Sequence, residues 1–334
     1  MAAAPAHGLT PEQVRSWDEN GYLIIPDALD QATVEGLLKE AHGLLEAAKR
    51  RYEDGGKLTL RITLDASADR NVDFSLEGHP MTKFTTGGED GDDASKHIGD
   101  AYFLESNDKI RFFFEEDAFS PTGALLKPKT LAINKIGHAL HTLSSPFSSA
   151  SINTKNRDIA HSLGFKDPQV LQSMVICKQP EIGGAVGSHQ DSTFLYTDPC
   201  SAVGFWYALE DCTSSNGCLS FAPGSHKRVP IKKRFIRLPE GGTAFEDLPE
   251  DKGNGLREKG LAEAEVNEEF IMGEVKKGSL VLIHGNVLHK SERNLSSRSR
   301  FIYTFHVIEG QNEYDEKNWL QPPEGGFSRL NDAV

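Results

Sequence analysis

In the stretch Ser188-His189-Gln190-Asp191 an imidazole and a carboxylate stand two positions apart. Successive side chains of an extended segment point to opposite faces, so His189 and Asp191 face the same way and Gln190 turns away. One strand end can then offer both groups to a single metal ion. A further imidazole is available far downstream in Val281-Leu282-Ile283-His284-Gly285-Asn286-Val287-Leu288-His289, where His284 and His289 each fall near a strand end. Two His and one carboxylate on one face leave three coordination positions open, the donor set of non-haem Fe(II) oxygenases. Spacing does not choose between His284 and His289. His306, alone on its strand, reads as a hydrogen-bonded structural residue.

A second group of residues suggests what else the site holds. Along Arg298-Ser299-Arg300-Phe301-Ile302-Tyr303-Thr304-Phe305-His306, alternation sends Arg298, Arg300, Ile302, Thr304 and His306 to one face and the three aromatic rings to the other. A polar face inside a β fold is costly unless an anion fills it, and a guanidinium grips a carboxylate through two parallel hydrogen bonds. A keto-acid cosubstrate supplies such a carboxylate. Ala132 to Thr142, with Ile133, Ile136, Ala139 and Leu140 on one side, reads as a helix carrying Lys135, His138 and His141. His138 and His141 have helical i, i+3 spacing but no third ligand nearby, so a structural role is expected. Asp92 and Asp93 belong to a Gly-interrupted acidic run that reads as a solvated loop.

These side chains need a sizeable scaffold. The chain has 334 residues, 38% apolar and 25% charged, enough to bury a large core. Its 36 Lys and Arg against 49 Asp and Glu give a net charge of -13, which supplies no electrostatic footprint for nucleic acid or an anionic membrane. Cys177, Cys200, Cys212 and Cys218 show no CxxC spacing, and the amino terminus lacks the layout of a secretory signal. No apolar run approaches the roughly 20 residues of a membrane helix, and the chain ends without a Ser-Lys-Leu address. A cytoplasmic protein with reduced thiols is expected.

The positioning elements follow in order. Thr10-Pro11-Glu12-Gln13 is a helix start with a capping box, and that helix should stop near Gly21. Tyr22 to Ile25 is a brief strand, and Asp30 caps a longer helix with Leu37, Leu38, Ala41, Leu44, Leu45 and Ala48 on one stripe. Phe112 to Phe114 suits a buried strand. Beyond Asp167-Pro168 the texture changes to short strands, over Val170 to Lys178, Gly187 to Tyr196, Ala202 to Glu210 and Cys218 to Pro223, with Asn216-Gly217 as a hairpin turn. Strands resume over Gly278 to His284 and Arg298 to Ile308. The expectation is a mainly β fold with added helices: one unit over 9–325, mostly helical over 9–165, with a jelly-roll core over 166–310 interrupted by an insertion at 239–269. The N-terminal helices should pack on one sheet.

His189-Gln190-Asp191, Gly217-Cys218-Leu219, Pro223-Gly224-Ser225-His226, Leu282-Ile283-His284-Gly285 and His289, with Arg300 eleven residues beyond it, together resemble the phytanoyl-CoA dioxygenase family of Fe(II)/2-oxoglutarate oxygenases. The likeness covers most of the chain. It is strongest to the subgroup of phytanoyl-CoA dioxygenase domain-containing proteins, through Asp108 to Phe114, Ile133 to His141, Phe194 to Thr197 and Asn318-Trp319-Leu320-Gln321-Pro322. The resemblance implies a double-stranded β-helix, cupin-like in build, with His189, Asp191 and His289 on iron and His284 off it. It implies Arg300 on the far carboxylate of 2-oxoglutarate, Arg298 being its rival, and Lys135, Met174 and Trp206 lining that site. Halogenating relatives lack the carboxylate that Asp191 supplies, so hydroxylation or desaturation of a small organic or lipid-like substrate by O2 is implied, with release of succinate and CO2. The insertion at 239–269 departs from the pattern and leaves the substrate open. Two other classes remain: a cupin-like metalloenzyme without 2-oxoglutarate, which needs no inward arginine, and a non-catalytic binding module on the same fold.

Overall fold

The computed structural model describes residues 8–53, 101–120, 125–257 and 268–333; the acidic run with Asp92 and Asp93 lies outside them. Thr10 caps helix α1 (Pro11–Asn20) in a reciprocal box with Gln13, and Gly21, at φ 77°, stops it in the left-handed conformation that glycine adopts without strain. Helix α2 (Gln31–Glu53) starts where Asp30 accepts the Thr33 amide at 2.7 Å. Its residues Leu37, Ala41, Leu44 and Leu45 are buried.

The strands in chain order are β1 (Tyr22–Ile25), β2 (Ile110–Phe114), β3 (Ile133–His138), β4 (Pro168–Ile176), β5 (Val186–His189), β6 (Val203–Ala208), β7 (Leu219–Phe221), β8 (Lys233–Arg237), β9 (Thr243–Asp247), β10 (Ile271–Gly273), β11 (Leu280–His284), β12 (His289–Ser291), β13 (Ile302–Glu309) and β14 (Ser328–Arg329). Among the described residues they form three antiparallel groups. The large sheet runs β1-β11-β6-β13-β4-β3-β2 with β14 added beside β4, the small sheet runs β10-β7-β12-β5, and β8-β9 is a hairpin.

Alternation along the central strands explains why two sheets face each other. Phe205, Tyr207, Leu280, Leu282, Tyr303 and Phe305 join the α2 stripe and Phe147 in the main core on the outer face of the large sheet. Trp206, Ala208, Val281, Ile283 and Ile302 point the other way and meet Leu219 and Phe221 of the small sheet. Fully burying each large side chain contributes about 1.5–3 kcal/mol, so both faces of β6, β11 and β13 favour this one register. The result is the jelly roll expected, with helices packed on the outer face of one sheet.

Four local expectations are corrected. Ala132 to Thr142 is strand β3 followed by the short helix Leu140–Leu143, because β3 is hydrogen-bonded between β2 and β4. The 9–165 part therefore supplies three strands to the large sheet besides its helices. Asn216-Gly217 is no hairpin: β6 and β7 belong to different sheets, and Gly217 closes a 3-10 turn over Ser214–Asn216. The stretch at 239–269 begins with the turn and return strand of the β8-β9 hairpin rather than a loop.

His138 and His141 are structural, as expected. The Nδ1 of His138 lies 2.7 Å from Ser106 Oγ and that of His141 lies 2.8 Å from Ser173 Oγ. Burial pushes His141 from the usual 6.5 down to about 4. Between those values the unfolded chain binds a proton that the folded chain refuses, so this stability is present above pH 6.5 and is lost as pH falls toward 4. The loss from this histidine should be on the order of 3 kcal/mol. Urea midpoints across that window should fall in the wild type and fall less steeply in His141→Gln; identical slopes would show that the ring is not the group being charged.

Candidate metal centre

The backbone brings two distant histidines together by sheet pairing. β12 lies antiparallel to β5 with His289 directly opposite His189, and their rings are 4.2 Å apart. Asp191 arrives differently from the expectation: β5 ends at His189, and Asp191 opens the short helix Asp191–Phe194. Gln190 does turn away, its amide donating to the Val229 and Asn286 carbonyls at 3.2 and 2.8 Å. The Nε2 atoms of His189 and His289 stand 3.4 and 3.7 Å from the same Asp191 oxygen, Oδ1. One ligand atom from each of the three residues lies within 4.8 Å of the others. His284 is elsewhere, stacked on Trp17 at 5.5 Å and beside His226 at 4.9 Å.

The hydrogen bonds set the protonation states. His189 Nδ1 lies 2.9 Å from the Gly187 carbonyl and His289 Nδ1 lies 3.1 Å from the Val287 carbonyl. Each Nδ1 must therefore carry the proton, leaving an Nε2 lone pair toward Asp191. Burial, reinforced by His189, pushes His289 down to about 4. Two lone pairs and a carboxylate oxygen converging on one point repel one another unless a cation sits among them. The donor set fits a divalent metal bound on one face.

Sequence reasoning undervalued His306. Its Nε2 lies 3.3 Å from the other Asp191 oxygen, Oδ2, and its Nδ1 lies 3.5 Å from Gln172 Nε2. With the amide N–H directed at Nδ1, Nε2 carries the proton and donates to Oδ2. Oδ1 is left for the point where the histidines converge. The signal was present in the alternation that put His306 on the inward face.

The second group gathers beside this one. Arg300 is 2% exposed, donates through Nη1 to the Gly217 carbonyl at 2.6 Å and has its Cζ 5.6 Å from the Trp206 ring. Its Nε is buried without a partner. Arg298 is exposed. Gly137, Met174, Thr304 and Trp206 occupy one cross-strand row, with Lys135 two residues before Gly137 on β3. Lys135 lies 5.7 Å from the Phe113 ring, and burial, partly offset by Glu115, pushes it down to about 8. A buried guanidinium with an unpaired donor fits the far carboxylate of a keto acid. Lys178 and Ser291, which sequence reasoning missed, also lie here: Lys178 Nζ donates to Ser291 Oγ at 2.9 Å. A lysine at the end of the strand-length stretch Val170 to Lys178 was the only sign of it.

An antiparallel jelly roll that turns two imidazoles, a carboxylate and a buried guanidinium inward has the build of the non-haem iron, keto-acid-dependent oxygenases. Comparison with known proteins narrows the class. The chain matches the family model for Phytanoyl-CoA dioxygenase (PhyH) over residues 17–302. It is 40% identical over 328 residues to phytanoyl-CoA dioxygenase domain-containing protein 1 of Bos taurus, covering 96% of this chain and 98% of the relative. A Caenorhabditis briggsae homolog of that protein is 45% identical over 257 residues, 75% of this chain and 84% of the relative. Among solved structures, EctD from S. alaskensis with 2-oxoglutarate and 5-hydroxyectoine superposes with TM-score 0.52 at 18% identity, covering 96% of this chain and 85% of that one. The chain belongs to the phytanoyl-CoA dioxygenase family and is an oxygenase by that membership. No helix among the described residues is long and apolar enough to cross a membrane.

His306→Leu keeps ring-sized bulk while removing the donor to Asp191 Oδ2, and partners behind a ligand typically control roughly 10- to 100-fold of metal affinity. Calorimetric titration with Mn(II) should show a loss of that size. Unchanged affinity in a folded variant would mean that His306 does not orient the carboxylate.

Proposed function

We propose that this protein is an Fe(II)- and 2-oxoglutarate-dependent dioxygenase that hydroxylates or desaturates a small organic or lipid-like substrate. The observation that carries this reading is the convergence of His189, Asp191 and His289 next to Arg300, a buried cation with an unpaired donor. His189, Asp191 and His289 would hold the iron. Arg300 would take the far carboxylate of the keto acid, with Lys135 lending positive charge and Met174 and Trp206 forming walls. When bound, iron and 2-oxoglutarate would supply the oxidising chemistry: one O2 is consumed, the keto acid leaves as succinate and CO2 with one oxygen atom, and the other oxygen atom enters the substrate as a hydroxyl or leaves as water with two substrate hydrogens.

This chain's residues do the positioning. Backbone carbonyls of Gly187 and Val287 fix both imidazole tautomers, and His306 fixes the carboxylate. The His189 ring meets Phe194 at 6.0 Å, and Phe194 leads into Phe235, Phe245 and Trp319. That aromatic flank favours an apolar substrate group and keeps bulk water from the metal.

Anaerobic addition of Fe(II) and then 2-oxoglutarate should produce a weak visible charge-transfer band. Asp191→Ala should abolish it, and Arg300→Ala should shift its half-saturation by roughly 10- to 100-fold, the scale of a lost charged hydrogen-bond pair. Both variants matching the wild type would remove the assigned site. Succinate should also form slowly without added substrate, and zinc, which has no redox chemistry, should not support it. Equal rates with zinc would contradict an oxygenase reaction.

A further inference from the structure

His138 ends strand β3 inside a box of aromatic rings and is 2% exposed. The ring centroids of Phe113, Trp319 and Phe103 stand 5.4, 5.5 and 5.7 Å from its own. Trp319 ties this box to the metal centre: its ring meets Phe235 at 6.4 Å, and its Nε1 donates at 2.9 Å to the carbonyl of Phe194, whose ring lies 6.0 Å from His189. His138 therefore borders the aromatic flank of the site.

Ser106, which anchors the ring, also decides its tautomer. The serine Oγ lies 2.6 Å from the Phe103 carbonyl, a contact that only a donated O–H can make, so toward His138 Nδ1 at 2.7 Å the same oxygen accepts. Nδ1 carries the proton. Burial first, then Lys135, Arg111 and His306, hold the imidazole well below its usual range, which keeps it neutral and leaves a lone pair on Nε2. Among the described residues nothing donates to that lone pair, and Nε2 is not one of the unpartnered polar atoms sealed from solvent, so it faces space that a ligand can enter. An acceptor in an apolar box is costly to leave unmatched. Trp319 has spent its one N–H on Phe194, and the phenylalanine rings have none to give. The missing donor has to come with a ligand. Lys135 and Arg111 repel a cation here, so that donor is uncharged.

We propose that His138 sets substrate specificity through Nε2, which accepts a hydrogen bond from a hydroxyl or amide N–H carried on an otherwise apolar substrate. This rests on the oxygenase reading above and names the class of molecule the site takes. The apolar body lies along Phe194, Phe235 and Trp319, and the bond at Nε2 limits how far it slides past the metal.

The test is calorimetric binding of two isomer pairs to the Mn(II)-loaded protein with 2-oxoglutarate and without oxygen: 1-octanol against heptyl methyl ether, and N-ethyloctanamide against N,N-dimethyloctanamide. Only the first of each pair has the donor. The wild type should favour that member by roughly 5-fold or more in at least one pair, and which pair responds tells hydroxyl from amide. His138→Phe, which keeps a ring in the box, should bring the preference to within about 2-fold, and His138→Gln, whose amide oxygen can take the place of Nε2, should restore part of it. A phenylalanine variant that weakens both isomers equally marks a packing role and overturns the proposal. So does a preference that survives the substitution, or a wild type that favours neither isomer, which leaves Nε2 to a water. Heteronuclear NMR of the wild-type histidine rings checks the premise without any substitution: the proton should sit on His138 Nδ1 and the favoured isomer should shift Nε2, whereas a proton on Nε2 overturns the proposal. In each of these failures a charge-transfer band with Fe(II) and 2-oxoglutarate leaves the oxygenase reading standing; absence of that band in the wild type overturns the reading and this proposal together.

Discussion

The Asp191 carboxylate, buried with an imidazole toward each side of it, is the constraint around which the rest is arranged. An isolated carboxylate in such a place would neutralise itself, and the donor that favours its ionised form against burial is His306 at Oδ2. The two oxygens are not equivalent. Oδ2 has a donor of its own in His306, whereas Oδ1 faces two nitrogens whose protons are committed to backbone carbonyls. The protein therefore holds three electron-rich atoms at one point, which is tolerable only around a cation. Pairing of His289 with His189 across β5 and β12 makes the approach unavoidable once the small sheet has formed.

The opposite sign prevails a few residues away. Arg300 and Lys178 meet at Gly217, and Lys135 is on the neighbouring part of the large sheet, while Glu115 is the buried acid among them. A site with an anionic end that needs metal and a cationic end that needs anion is matched by one ligand bridging both. The aromatic outer face of the large sheet insulates this polar interior, since Phe205, Tyr207, Tyr303 and Phe305 alternate with the inward-facing residues on the same strands.

Much of the site was legible because strand alternation is a short-range rule. It correctly set Ile302, Thr304 and His306 against Phe301, Tyr303 and Phe305, and the caps of α1 and α2 were equally local. Where long-range pairing decides, the sequence misled. Ile133, Ile136 and Leu140 satisfy a helical period, but hydrogen bonding of β3 to β2 and β4 outweighs that weak preference. His189 and Asp191 were expected on one strand; the chain instead turns into a helix at Asp191, and the same facing is achieved by different geometry. Lys178 could not be singled out, because its burial depends on Ser291 and Gly184, which no local pattern connects to it.

Strand β13 links the two ends of the site. It runs between β6 and β4, hydrogen-bonded along both edges, with Arg300 just before it and His306 near its far end. A strand paired on both sides cannot slip by one residue without sending its aromatic residues into the polar interior and its arginine-side residues into the core. The outer core thus sets the register, and the register sets how far the guanidinium lies from the carboxylate that His306 steadies. The spacing between the buried guanidinium and the carboxylate is in this way a property of hydrophobic packing on the opposite face of the sheet. A bulge between His306 and Val307 falls beyond the site residues, so the irregularity re-aims the strand's end without disturbing the spacing from Arg300 to His306.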